Sequence, residues 1–270
     1  MAGVGNRRLS TDAGKLRPVR DMSGAAWIAP RLAPFGGWVG SVVPQGFEAY
    51  ARILHPVPDP NQEWTTWAAV CRFCGRTPHA LMQWSAIAEV VEVTQRRVTT
   101  RTMRWYGGEP EQGSLEAANL AALLAVLEQH SATPTDCYFA LWDGYGWIHG
   151  GSSVAIPGES EPLPPAFDPA VLTGPRLRHP NRDYVLFFGP LRAAASMGHQ
   201  VTADWFIPQS PNLFWPADRS WCVGSEIDFD STLVAGSAAL IDAVLAEPGL
   251  ETWRVAAGDS LGYDGDTINV

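Results

Sequence analysis

CYFALW at 137–142 and YVLFF at 184–188 are short, unbroken apolar runs. A strand with one wet face alternates apolar and polar side chains, so a continuous run of five or six marks a strand covered on both faces. Two such strands predict a central sheet with helices packed on it, and the helices are legible around them. From Ser114, a candidate N-cap, to about His130, the residues Leu120, Leu123, Leu124 and Leu127 fall at i, i+3, i+4 and i+7. Ser237 opens another helix with Leu240, Ile241, Val244 and Leu245 on its apolar face, and Pro248-Gly249 ends it.

Further out, WTTWAAVCRFC (64–74) places Trp64, Trp67, Cys71 and Cys74 on one helical face, with Gly75 as the stop. LMQWSAIAEV (81–90) predicts a second helix through Leu81, Trp84, Ile87 and Ala88. The β-branched stretch 90–105 predicts one or two strands, ended by Gly107-Gly108. Strands are also expected from Trp38, from Trp221 to Phe229 and from Thr252 to Val255, while FEAYARIL (47–54) suits either a strand or a short helix. Helices and strands alternate without regular βαβ spacing and without a repeat. The expected class is α+β, with a mixed or mostly antiparallel sheet.

Residues 1–35 are small, polar and Arg-dotted, and read as a disordered leader. The remainder, 36–270, reads as one α+β domain carrying a proline-rich loop at 150–175, where six prolines oppose regular structure. At 270 residues and 46% hydrophobic, the chain can bury a core without disulfides. No run approaches the roughly 18 apolar residues of a membrane span, and no apolar signal-peptide core follows the N-terminus, so a cytoplasmic protein with four reduced cysteines is expected.

The formal charge is −9, which argues against a duplex nucleic-acid binder. That charge is unevenly placed: residues 1–105 hold 13 basic and 7 acidic side chains, and residues 106–270 hold 6 and 21. The sharpest acidic feature is SEIDFDS (225–231), which as a strand would project Glu226, Asp228 and Asp230 from one face. Three carboxylates at that spacing need a positive neighbour. It could be Mg²⁺ or Ca²⁺ or arginines of an adjacent strand, unless the row is simply a solvent face charged against edge pairing. Asp259, Asp264 and Asp266 in the glycine-rich tail could add oxygen ligands, but a solvated turn is the plainer reading.

Arg96, Arg97, Arg101 and Arg104, beside Trp105 and Tyr106, could grip a phosphate or a single nucleic-acid strand, or could pair with the acidic row, which is the preferred reading. Cys71 and Cys74 form a CxxC near His79 but lack the second pair of a zinc ribbon, and read as buried thiols. His55 and His179, each before a proline, are candidate general bases. No P-loop, nucleophile elbow, dinucleotide fingerprint or HExxH is present.

The run 210–237 (SPNLFWPADRSWCVGSEIDFDSTLVAGS), with YARILHP (50–56) and YVLFFGPL (184–191), resembles segments of uncharacterised proteins from high-GC actinobacteria. That resemblance implies a cytoplasmic bacterial origin and nothing about mechanism. The last hundred residues, ending in the helix SAALIDAVLAE, are faintly similar to the SUKH superfamily of toxin-immunity proteins. Two functions are expected from the absent catalytic motifs, the aromatic content and the carboxylate excess. One is a non-catalytic, immunity-like module whose acidic C-terminal half meets a basic protein partner. The other is a metal-dependent enzyme that acts on a phosphorylated substrate through Glu226, Asp228 and Asp230.

Overall fold

The two unbroken apolar runs are neighbouring strands in the computed structural model, which describes residues 16–89, 91–95, 98–150, 165–179, 181–202 and 204–270. In chain order the strands are β1 (Arg17–Pro18), β2 (Ala49–Leu54), β3 (Val57–Pro58), β4 (Trp64–Thr65), β5 (Val91–Gln95), β6 (Val98–Thr102), β7 (Cys137–Trp142), β8 (Leu177–His179), β9 (Arg182–Gly189), β10 (Gly198–Thr202), β11 (Trp205–Pro208), β12 (Leu213–Pro216), β13 (Cys222–Gly224), β14 (Ser231–Gly236) and β15 (Thr252–Val255). The helices are α1 (Val39–Val42), α2 (Trp67–Cys74), α3 (Trp84–Ile87), α4 (Ala117–Gln129), α5 (Pro169–Leu172) and α6 (Ala238–Ala246).

The fold is α+β. One sheet runs β1-β9-β7-β12-β13-β14-β2-β15, with β8 also on β9, and every pairing within it is antiparallel. The strands β7 and β9 flank the proline-rich stretch in sequence yet pair from Cys137↔Gly189 to Trp142↔Tyr184. FEAYARIL is a strand, and its pairing with β14 and β15 places the N-terminal half of the chain beside the C-terminal half.

Alternation sorts the side chains between two cores. Ala51, Ile53, Phe139, Val185, Phe187, Phe214, Val223 and Val234 face α4 and α6, which contribute Leu120, Leu123, Leu127, Leu240, Ile241 and Val244. The opposite face is covered in three patches. Trp215, Leu213 and Leu186 lie under Ala25 and Ile28; Tyr50 and Leu233 lie under Val39, Val42 and Val43; Leu54 meets the α2–α3 unit through Trp67, Met82 and Trp84.

Several expectations need correction. Residues 16–35 are not a disordered leader: β1 adds to β9, two 3₁₀ turns follow, and Ala25 and Ile28 are 1% exposed against the sheet. The strand expected from Trp38 is the single helical turn α1. The strand expected over Trp221–Phe229 stops at Gly224. Ser114 is buried and accepts from the Ser210 N–H, so the cap of α4 is Glu116, whose Oε2 accepts from the Ala118 and Asn119 N–H groups. The helix α3 is cut to one turn because Glu89 turns left-handed at φ 53°. Within the proline-rich loop, Pro169 opens the single turn α5. Residues 1–15 of the leader and 151–164 of that loop lie outside the described residues. No helix among those described is long and apolar enough to cross a membrane.

Because Ile28 seals one sheet face, Ile28→Ala should lower the unfolding free energy by about 3 kcal/mol. A disordered leader would give no change in urea denaturation.

Candidate functional site

Arg52 projects from β2 and is 1% exposed. A guanidinium keeps its proton in a protein, so its donors must be met where they lie. Its Nε donates to Ser231 Oγ (3.0 Å), Nη1 to the carbonyls of Ala80 (3.1 Å) and Met82 (2.9 Å), and Nη2 to Asp230 Oδ1 (3.4 Å). The ring of Trp67 lies 5.6 Å from its centre. Burial raises the Asp230 carboxyl above its ordinary range, and Arg52 opposes that.

SEIDFDS does not display its acids in a row. Glu226 Oε2 accepts from the Asp228 N–H (2.6 Å) and the Phe229 N–H closes onto the Glu226 carbonyl (3.0 Å), so 226–229 is a turn that splits the carboxylates. Glu226 and Asp228 both turn to Arg182 of β9, at 2.7 and 2.6 Å, while Asp230 takes Arg52. Arginines therefore answer the repulsion. The sequence had pointed to different ones: Arg104 is exposed and pairs with Glu89 at 3.1 Å. Arg96 and Arg97 lie outside the described residues, and Arg101 stands on β6 in register with Glu92. Trp105 is buried against Phe73, edge to face at 5.5 Å, and offers no open stacking surface. Among the described residues, no three His, Cys, Asp or Glu side chains are placed to share a metal ion.

A second acidic turn, GGEPEQGS at 107–114, packs on the first. The Gly113 N–H donates to the Phe229 carbonyl (2.9 Å), and Gly113 has φ +72° with its Cα so near Ile227 that a Cβ would sit 2.8 Å from that residue's Cα. Only glycine allows this approach. Beneath both turns, His55 is 1% exposed. Its Nδ1 is 2.6 Å from the Glu111 carbonyl, which can only accept, so Nδ1 carries the proton and Nε2 accepts from Thr232 Oγ1 at 2.8 Å. Thr232 in turn accepts from Ser225 Oγ at 2.7 Å. This serine–threonine–histidine chain is sealed from solvent, and burial drives the His55 pKa down to about 4. His179 sits on β8, edge-on to Tyr184.

Between the second turn and α3 opens a cleft of about 370 Å³, lined by Gln83, Trp84, Ser85, Glu109, Pro110, Gln112 and Asp230. The acidic tail supports its wall. Asp266 is not solvated: it accepts from His79 Nε2 (2.8 Å), from the N–H groups of Gln83, Ile268 and Asn269, and from Asn269 Nδ2. Burial alone would raise its pKa, but these hydrogen bonds outweigh it and hold the carboxyl at about 2. Asp259 and Asp264 make local turn contacts with Ala256 and Ser260. Cys71 and Cys74 lie on the buried face of α2, and all four cysteines are buried free thiols, Cys71 with its pKa pushed up to about 12 by burial. Sequence reasoning missed Arg52, Arg182 and Gln83, because their partners lie far away in the chain.

Comparison with protein-family models, with curated proteins and with solved structures finds no match to the chain.

His55 makes stability pH-dependent. Its pKa falls from 6.5 to about 4 on folding, so between those values the unfolded chain binds the extra proton. The contribution is complete above pH 6.5 and is lost as pH falls toward 4, to the extent of about 3 kcal/mol. In urea denaturation His55→Asn should remove that part of the slope; an unchanged slope would contradict the assignment.

Proposed function

We propose that the chain is a non-catalytic binding module of a bacterial cytoplasm, immunity-like in its role, and that the cleft over Asp230 receives a cationic side chain of a basic protein partner. The lining of that cleft carries this reading. Glu109 and Asp230 supply carboxylates, Gln83 and Gln112 supply amide oxygens, Trp84 and Pro110 supply apolar walls, and none of the lining residues is basic. An ammonium or guanidinium group is recognised by carboxylate, carbonyl and aromatic surface in combination. The uneven charge of the sequence agrees, since both acidic turns border this region.

A hydrolytic reading draws less support from the same geometry. The Ser225–Thr232–His55 chain ends on a carbonyl rather than a carboxylate, and an imidazole with a pKa near 4 is a weak base at neutral pH. A metal-dependent reading meets Arg182 between Glu226 and Asp228, where the cation would sit. The buried free thiols suit a reducing compartment.

The test is a low-salt pulldown from the native host with wild type and Gln112→Lys. Gln112 is exposed, so the change leaves the core intact while placing a like charge at the cleft. A basic protein should co-purify with wild type, and the variant should bind it at least about tenfold more weakly, or 1.4 kcal/mol. No retained basic partner, or equal retention by the variant, would overturn the reading.

A further inference from the structure

The six arginines of the acidic stretch 106–270 divide unevenly. Arg176, Arg178, Arg182, Arg192 and Arg254 each hold a carboxylate. Among the described residues Arg219 holds none, although Asp218 precedes it in sequence and acids outnumber bases more than threefold in this part of the chain. The Asp218 carboxylate is already committed to the N–H groups of Ala132 and Ser220. Arg219 is also exposed and has φ +59°, a left-handed backbone that a non-glycine residue adopts at some cost. The turn between β12 and β13 thus holds an unneutralised guanidinium outward.

Its guanidinium lies over the ring of Trp27, 5.9 Å from the ring centre. Arg31, from the second 3₁₀ turn of the N-terminal segment, lies 5.6 Å from the same ring, is likewise exposed, and makes no ion pair among the described residues. Trp27 is fixed from below, edge-on to Trp215 and to Phe47, each at 6.2 Å. Its indole N–H is buried and meets no acceptor among the described residues. Two exposed guanidiniums therefore converge on one indole ring, anchored on the sheet by a packed aromatic base. Such a set is satisfied by a ligand that brings several acceptor oxygens and negative charge.

We propose that Arg31 and Arg219 form a clamp on Trp27 for a phosphate group. Phosphate matches a guanidinium fork in two hydrogen bonds and carries the charge to neutralise both arginines. Forming the clamp needs the N-terminal segment seated on β12, so the site exists only because residues 16–35 are folded. It is separate from the cleft over Asp230 and does not depend on the role assigned there.

The experiment follows the indole ¹H–¹⁵N signals of the full chain during titration with inorganic phosphate at constant ionic strength, Trp27 being assigned by its loss in Trp27→Phe. The Trp27 signal should shift and saturate with phosphate and not with chloride. Arg31→Gln and Arg219→Asn, the latter chosen because asparagine tolerates a left-handed φ, should each weaken the response at least about tenfold while leaving the melting temperature unchanged. Parallel titrations with a phosphoserine peptide and with a nucleoside monophosphate identify the source, the tighter of the two naming the natural carrier. A response that does not saturate, or one that persists equally in both arginine variants, would overturn the clamp.

Discussion

A guanidinium inside a protein cannot shed its charge, so everything within its reach must supply acceptors. Arg52 imposes that condition on the middle of the sheet. Its strand is bracketed by β14 and β15, and the side chain emerges on the face opposite α4 and α6. Ser231 and Asp230 answer from the start of β14; Ala80 and Met82 answer from the loop before α3. Each of these must be held in place for the charge to be tolerated.

Much of the surrounding structure does that holding. The loop that carries Ala80 and Met82 is tied to the C-terminal tail through Asp266, which binds His79 and the Gln83 N–H, and through Asn269, which bonds Thr77 on both its N–H and its carbonyl. Asp230 is fixed from the other side, because its carbonyl accepts from the His55 N–H and His55 is locked by Glu111 and Thr232. Glu251 joins the same region by capping α2, its two oxygens taking the N–H groups of Trp67 and Ala68. The cleft over Asp230 is thus walled by parts drawn from three distant stretches of chain.

Local pattern disclosed the parts whose stability is local. The runs at 137–142 and 184–188 are unbroken because both faces are covered, and α4 and α6 show their apolar stripe because one face meets the sheet. SEIDFDS misled because alternation is shared by a strand and by a turn whose carboxylates reach in different directions. What decides between them is Arg182 and Arg52, 44 and 178 positions away from Glu226 and Asp230 respectively. The N-terminal segment misled for another reason. Its burial rests on Ala25, in the first 3₁₀ turn, and Ile28, just before the second, too few and too irregular to register as either period. The site residues Arg52 and Gln83 carry no local signal, since a lone arginine in an apolar strand reads as an interruption until its acceptors are known.

The central claim is that Arg52 and Asp230 depend on one another, and a double-mutant cycle in urea denaturation measures it directly. Arg52→Met and Asp230→Asn should each be destabilising, by about 3 kcal/mol or more for the loss of a partner to a buried charge. The double variant should fall short of the sum of the two by more than about 1 kcal/mol, because removing both leaves no charge stranded. Additivity within about 0.5 kcal/mol would contradict the account, for it would mean that the carbonyls of Ala80 and Met82 hold the guanidinium without help from the carboxylate.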